Sequence, residues 1–139
     1  MTKTYLISAG ISGFLGILMA WLGYAVMNSE LTPQHYNAYN SALQFQMLNT
    51  IAFLAIIFIS RYVHRAYIKT VYFLFLFAIA FYSGAIYLTS TVELTKAHFN
   101  FVKPLIPLGA ILALTGWFVI LWMGVTYVHR KHRHRADEK

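Results

Sequence analysis

Cysteine is absent from this chain of 139 residues, and acid is scarce, with four Asp and Glu against eleven Lys and Arg. The lack of thiols excludes disulfide bridges, thiolate metal sites and cysteine nucleophiles together. The scarcity of carboxylates removes more. Asp137 is the only aspartate, so the clustered aspartates that hold Mg²⁺ for phosphotransfer are missing. Charged residues make up 11% of the chain and lie at or beyond the ends of four long apolar stretches. No acid is left at membrane depth, which argues against a proton-coupled exporter. The six histidines, at 35, 64, 98, 129, 132 and 134, fall in loops and tails. Facing axial ligands for a b-type haem and the histidine of an intramembrane Ser-His protease are therefore both lacking. The chain is not expected to be an enzyme, and neither a cofactor nor a metal is expected.

What is present is apolar surface. Hydrophobic residues are 59% of the chain, far above an ordinary soluble domain. A bilayer core about 30 Å thick needs roughly 20 apolar residues per helix. Residues 5–27, 43–60, 67–89 and 105–128 meet or approach that length. The predicted fold is an all-α membrane protein, a four-helix antiparallel transmembrane bundle filling residues 1–128. Residues 129–139 form a polybasic cytoplasmic tail, expected as a solvated, mobile end. The first stretch is too long for a signal peptide and lacks an A-x-A cleavage pattern, so it reads as retained.

The net charge of +7 suggests nucleic acid until its placement is considered. Basic residues near span ends favour the cytoplasm. With both termini inside, that side holds Lys3, Arg61, Arg65, Lys69, Arg130, Lys131, Arg133, Arg135 and Lys139, and the other holds only Lys96 and Lys103. The asymmetry predicts an N-in, C-in protein with no nucleic-acid partner. Arg130, Lys131, Arg133 and Arg135 are expected at anionic headgroups on the cytoplasmic face, worth about 1 kcal/mol per basic residue. The histidines among them suggest a metal site, but the crowding of cations opposes it.

Thr32 and Pro33 are a good cap and first-position pair, so the second helix is expected to start there and run to 60, about 42 Å at 1.5 Å per residue. Its first turns carry Tyr36 and Tyr39, expected at the membrane interface. The third stretch, with Phe73, Phe75, Phe77, Phe81 and Tyr82, suits a lipid-facing or bundle-filling helix. Small residues recur at helical spacing as Ser12, Gly16, Ala20 and Gly23 in the first span, and as Gly109, Ala113 and Gly116 in the fourth. Such stripes let helix backbones approach closely in lipid. The simplest expectation is a seam between those two spans.

Polar groups at membrane depth are costly and usually face inward. Gln46, Asn49 and Thr50 share a face of the second helix, Ser83 and Tyr87 share one on the third, and Thr115 lies midway along the fourth, close to Trp117. Two readings stand for this set. The groups satisfy one another and join helices, or they line a site for a small apolar or lipid-like ligand.

Several motifs occur in a recognisable order. They are Ile11-Ser12-Gly13-Phe14 and Leu22-Gly23 in the first span, and Leu43-Gln44-Phe45-Gln46 with Thr50 and Ala52 in the second. The third span has Tyr82-Ser83-Gly84-Ala85-Ile86-Tyr87, and the fourth has Ile106-Pro107-Leu108-Gly109-Ala110 followed by Gly116-Trp117. Over roughly 11–123 the chain resembles the domain of unknown function 423 family, the YgdD-like small inner-membrane proteins. The resemblance implies a four-helix inner-membrane protein without an established biochemical function. Two departures stand out, since Ala25 and Asn49 occupy positions where the family pattern has histidine. Asn49 can hydrogen-bond but cannot titrate. The overall expectation is a structural or accessory protein that contacts a larger membrane complex or a second copy of itself. The alternative is a binder or conduit for a small apolar or lipid-like molecule.

Overall fold

With no water inside a bilayer, every backbone N–H and C=O must be paired within the chain, and uninterrupted apolar runs answer by forming helices. The computed structural model describes residues 2–60, 63–96 and 99–137, apart from the side chains of Thr2, Glu93 and 127–137. Helix α1 comprises Thr2–Leu22, a π segment at Gly23–Met27 and a last turn at Asn28–Glu30. Helix α2 is Pro33–Ile59, beginning where the Thr32-Pro33 pair predicts. Thr32 does not cap with its side chain; its Oγ1 instead lies 3.3 Å from His35 Nδ1. Helix α3 comprises Arg65–Ala78, a π segment at Ile79–Ser83 and Gly84–Ser90. His64 caps it by accepting the Ala66 amide at 3.3 Å. The short α4, Val92–Thr95, stops at Lys96, whose φ of 54° is left-handed. A 3₁₀ turn at Asn100–Val102 then leads into α5, Leu105–Asp137.

Four of these helices, α1, α2, α3 and α5, are long and apolar enough to cross a membrane. All regular structure among the described residues is helical. In its backbone, α5 continues past residue 128 to Asp137, so the stretch expected as a mobile tail is helical as far as 137. The side chains of Arg130, Lys131, Arg133 and Arg135 lie outside the described residues, as do Arg61 and His98.

Sequential neighbours pack together. Helix α1 lies on α2, α3 lies on α5, and α2 joins the two pairs through the C-terminal half of α3. This overturns the seam expected between the first and fourth spans. A methyl added at Gly16 would meet Met47 Sδ at 2.8 Å, and one at Gly23 would meet the Tyr39 ring at 2.9 Å, so the first stripe faces α2. At Gly109 the added methyl would lie 2.5 Å from the Tyr82 backbone nitrogen, and at Gly116 2.6 Å from the Phe75 ring, so the second stripe faces α3. The physical reason lies in the links. Leu31 and Thr32 alone separate α1 from α2, which forces those helices to be antiparallel neighbours.

The apolar core sits toward the end that carries the termini. Phe53, Ile56, Ile68, Val71, Tyr72 and Phe75 pack there with Ala9 and Met123. Phe75 is fully buried while Phe73 and Phe77 are exposed, so α3 both fills the bundle and faces outward. Tyr39, in the first turns of α2, turns its side chain into the bundle. It is 1% exposed, wedged beside Gly23, and donates its hydroxyl to the Met19 carbonyl at 2.7 Å.

Candidate functional site

Above the apolar core lies a polar layer that spans three helices. Gln46 is its centre, because its side-chain amide faces both neighbours of α2. Its Nε2 donates to the Ser12 carbonyl on α1 at 2.9 Å, and its Oε1 accepts the Tyr87 hydroxyl from α3 at 2.9 Å. Thr50 is one turn further along. Its hydroxyl donates to the Gln46 carbonyl at 2.8 Å and lies 2.7 Å from Ser12 Oγ. The one proton of Thr50 is committed to that carbonyl, so Ser12 is the donor in the Ser12–Thr50 pair. Ser83, 1% exposed, donates to the Ala42 carbonyl at 2.9 Å and ties α3 to α2 a turn away.

Five residues named from the sequence therefore act together: Gln46, Thr50, Ser83 and Tyr87 from the polar set, and Ser12 from the small-residue stripe. Asn49 is buried at 1% exposure, but its Nδ2 only reaches back to the Phe45 carbonyl at 2.8 Å. Its Oδ1 is buried without a partner, the single such side-chain atom among the described residues. Exchanging the two amide atoms would not help, because it would set an oxygen against the Phe45 carbonyl. Thr115 and Trp117 do not belong to the layer. Thr115 is exposed and bonds back to the Ile111 carbonyl at 2.8 Å, while Trp117 is 42% exposed and packs on Phe75 with ring centroids 5.6 Å apart. Both sit on α5, which packs chiefly on α3, and neither bonds to Gln46.

Among the stripe residues, Ala113 and the glycines at 16, 23, 109 and 116 are buried at helix contacts, whereas Ala20 is half-buried. Tyr39 is the member that sequence reasoning missed. It stands two helical turns ahead of Gln46 on the same inner face of α2, and that periodicity is the signal that marks it as buried. Its ring also packs on Tyr87 at 5.0 Å, which holds the phenol that Gln46 accepts.

The positions of Ala25 and Asn49 do not form one site. Contacts of Gly23 with Tyr39 and of Ser12 with Thr50 set the register of α1 on α2. Ala25 is thereby level with the region of Asn37, roughly 18 Å along the axis from Asn49 at 1.5 Å per residue. Ala25 is also exposed, while Asn49 is buried. No group of three or more metal-ligating side chains occurs among the described residues.

A second concavity lies at the end of the bundle opposite the termini. A cleft of about 260 Å³ is lined by His35 and Ala38 of α2, Thr89 and Ser90 of α3, Val92 of α4, and Phe99, Asn100 and Lys103 before α5.

Comparison with known proteins finds one family and a membrane protein of similar length. The family described as "Protein of unknown function (DUF423)" matches residues 20–110. A UPF0382 membrane protein of Staphylococcus saprophyticus is 21% identical over 119 residues, covering 86% of this chain and 94% of the relative. No solved structure matches. The matched region takes in Gln46, Thr50, Ser83 and Tyr87, and with it the polar layer that joins α2 to α3; the chain is a membrane protein and belongs to the DUF423 family.

Proposed function

We propose that this protein is a non-catalytic structural or accessory component of a bacterial cytoplasmic membrane, acting through the outer faces of its helices. The observation that carries this reading is the closure of the polar layer. Ser12, Gln46, Thr50, Ser83 and Tyr87 spend their hydrogen bonds on one another and on backbone carbonyls, and none of these hydroxyls faces a base. Helices α1 and α5, by contrast, bury little of themselves and present large side chains outward. Phe14, Ile17 and Trp21 on one, and Leu114, Phe118 and Leu121 on the other, are each more than 60% exposed. Those faces are open to acyl chains, to another membrane protein or to a second copy. With the charge asymmetry, both termini are placed in the cytoplasm, and the basic end of α5 meets anionic headgroups there.

Photo-reactive residues placed at Ile17 and Leu121 in the native membrane test the reading. The expected result is a discrete protein adduct near one-to-one stoichiometry, weakened by Trp21→Ala or Phe118→Ala. Adducts with lipid alone, and migration as a free monomer after gentle extraction, would overturn it.

A second reading, binding of a small apolar or lipid-like molecule inside the bundle, is favoured by one observation, the unpartnered Asn49 Oδ1. Such a ligand would have to bring a donor to that atom. Retention of a specific molecule by the wild type and its loss in Asn49→Leu, with the fold unchanged, supports this second reading.

A further inference from the structure

We propose that the cleft at the end opposite the termini is a binding site for a phosphate group, and specifically for the phosphate of a phospholipid headgroup. Three observations converge on it. Ser90 lines the cleft and is 1% exposed, yet its hydroxyl makes no hydrogen bond among the described residues. The neighbouring Thr89, by contrast, donates back to the Ala85 carbonyl at 3.0 Å. The Ser90 oxygen is not among the fully enclosed unpartnered atoms, so it meets the cleft, where a polar ligand can bond it.

The second observation is charge. Lys103 lines the same cleft, is exposed and carries no ion pair among the described residues. No described lining residue is acidic. Asn100 and Lys103 are three apart across the 3₁₀ turn, where side chains at that spacing eclipse, so the amide and the ammonium stand on one side. An ammonium, an amide and a hydroxyl around one pocket are a donor set for an oxyanion with several acceptors.

Depth is the third. The lining residues come from the first turns of α2, the last turn of α3 and the lead into α5, at the ends of three spanning helices. Helix ends of this kind lie in the interfacial layer that brings a bilayer from about 30 Å to about 40–45 Å, where lipid phosphates reside. Val92, Ala38 and Phe99 give the cleft an apolar wall on which the glycerol and the first methylenes of an acyl chain can lie.

The test uses the full chain, stripped of lipid in an uncharged detergent, with the Asn100 side-chain amide as the NMR reporter. Dihexanoyl phosphatidylglycerol, dihexanoylglycerol and inorganic phosphate are titrated separately. The phospholipid is expected to bind saturably and at least tenfold more tightly than the phosphate-free diacylglycerol. Ser90→Ala and Lys103→Met should each weaken it about tenfold, the effect of deleting one hydrogen bond to a charged group. Lys103 is exposed, so its substitution leaves folding intact, which an unchanged melting temperature verifies. Inorganic phosphate binding as tightly as the phospholipid supports the phosphate site and assigns its source to solution instead of the bilayer. The proposal is overturned if neither phosphate probe saturates, if dihexanoylglycerol binds equally well, or if Lys103→Met binds like the wild type.

Discussion

Tyr87 on α3 donates its phenol to Gln46 Oε1 on α2 at 2.9 Å, and this bond is one of two by which Gln46 spans three helices. Buried inter-helix hydrogen bonds in membrane proteins average about 0.6 kcal/mol and reach about 1.7. Tyr87→Phe should therefore cost about 0.6 kcal/mol, and Gln46→Leu more, since it also strips the Ser12 carbonyl of its partner. A double-mutant cycle of reversible unfolding in detergent measures the coupling. Coupling indistinguishable from zero would mean that the two groups do not share a bond.

The two glycine stripes should respond differently to one methyl. At Gly109 an alanine would meet the backbone of Tyr82, which cannot move aside, so Gly109→Ala should destabilise by about 1–3 kcal/mol. At Gly16 the obstacle is the thioether of Met47, a flexible group, and Gly16→Ala should cost under about 1 kcal/mol. Thermal unfolding of the two single variants is sufficient, and a reversed order would contradict the packing of α5 on α3.

Asn49 offers a test with the opposite sign. Its Oδ1 is buried without a donor and its Nδ2 only duplicates a helical acceptor, so the side chain contributes little beyond its bulk. Asn49→Leu should leave stability unchanged or raise it by about 1 kcal/mol, since replacing an unsatisfied polar group with an apolar one of similar size is neutral or favourable. A loss of that size in the stability assay would instead reveal an internal donor, a bound water or a ligand.

The proposed orientation, with both termini inside, rests on nine basic residues at one end, Lys3, Arg61, Arg65, Lys69, Arg130, Lys131, Arg133, Arg135 and Lys139, against Lys96 and Lys103 at the other. A reporter fused after Lys139 should be active in its cytoplasmic form, and one inserted near Lys96 in its exported form. The reverse pattern would overturn both the topology and the assignment of the basic end of α5 to anionic lipid.

The number of helices long and apolar enough to cross a membrane was legible because apolar runs of this length have one solution in a bilayer. Pro33 marked the start of α2 to the residue. Gln46, Thr50 and Tyr87 were legible as inward-facing because polar groups at that depth have nowhere else to go. The pairing of helices was not. Gly16 and Gly109 identify faces flat enough for close approach, but a flat face does not name its neighbour. The short link at Leu31 and Thr32 carries that information, and it outweighs the match between two stripes. Tyr39 was read for its depth by type alone, and its spacing from Gln46, which sets its face, puts the side chain on the inner side of α2. Thr115 was grouped with the polar layer by depth alone, but α5 packs chiefly on α3 and Thr115 lies on its exposed side.

The packing of each helix on its neighbour in sequence also orders the assembly in time. Everything that Gly16 and Gly23 of α1 meet is supplied by α2, so the first hairpin can close without α3. The second hairpin closes in the same local way, with α5 returning over Tyr82 and Phe75. Contacts so close in sequence are the kind that form fastest. What remains is the joining of the two hairpins, and that is the step for which Gln46, Ser83 and Tyr87, with the Ser8–Tyr72 pair, supply bonds.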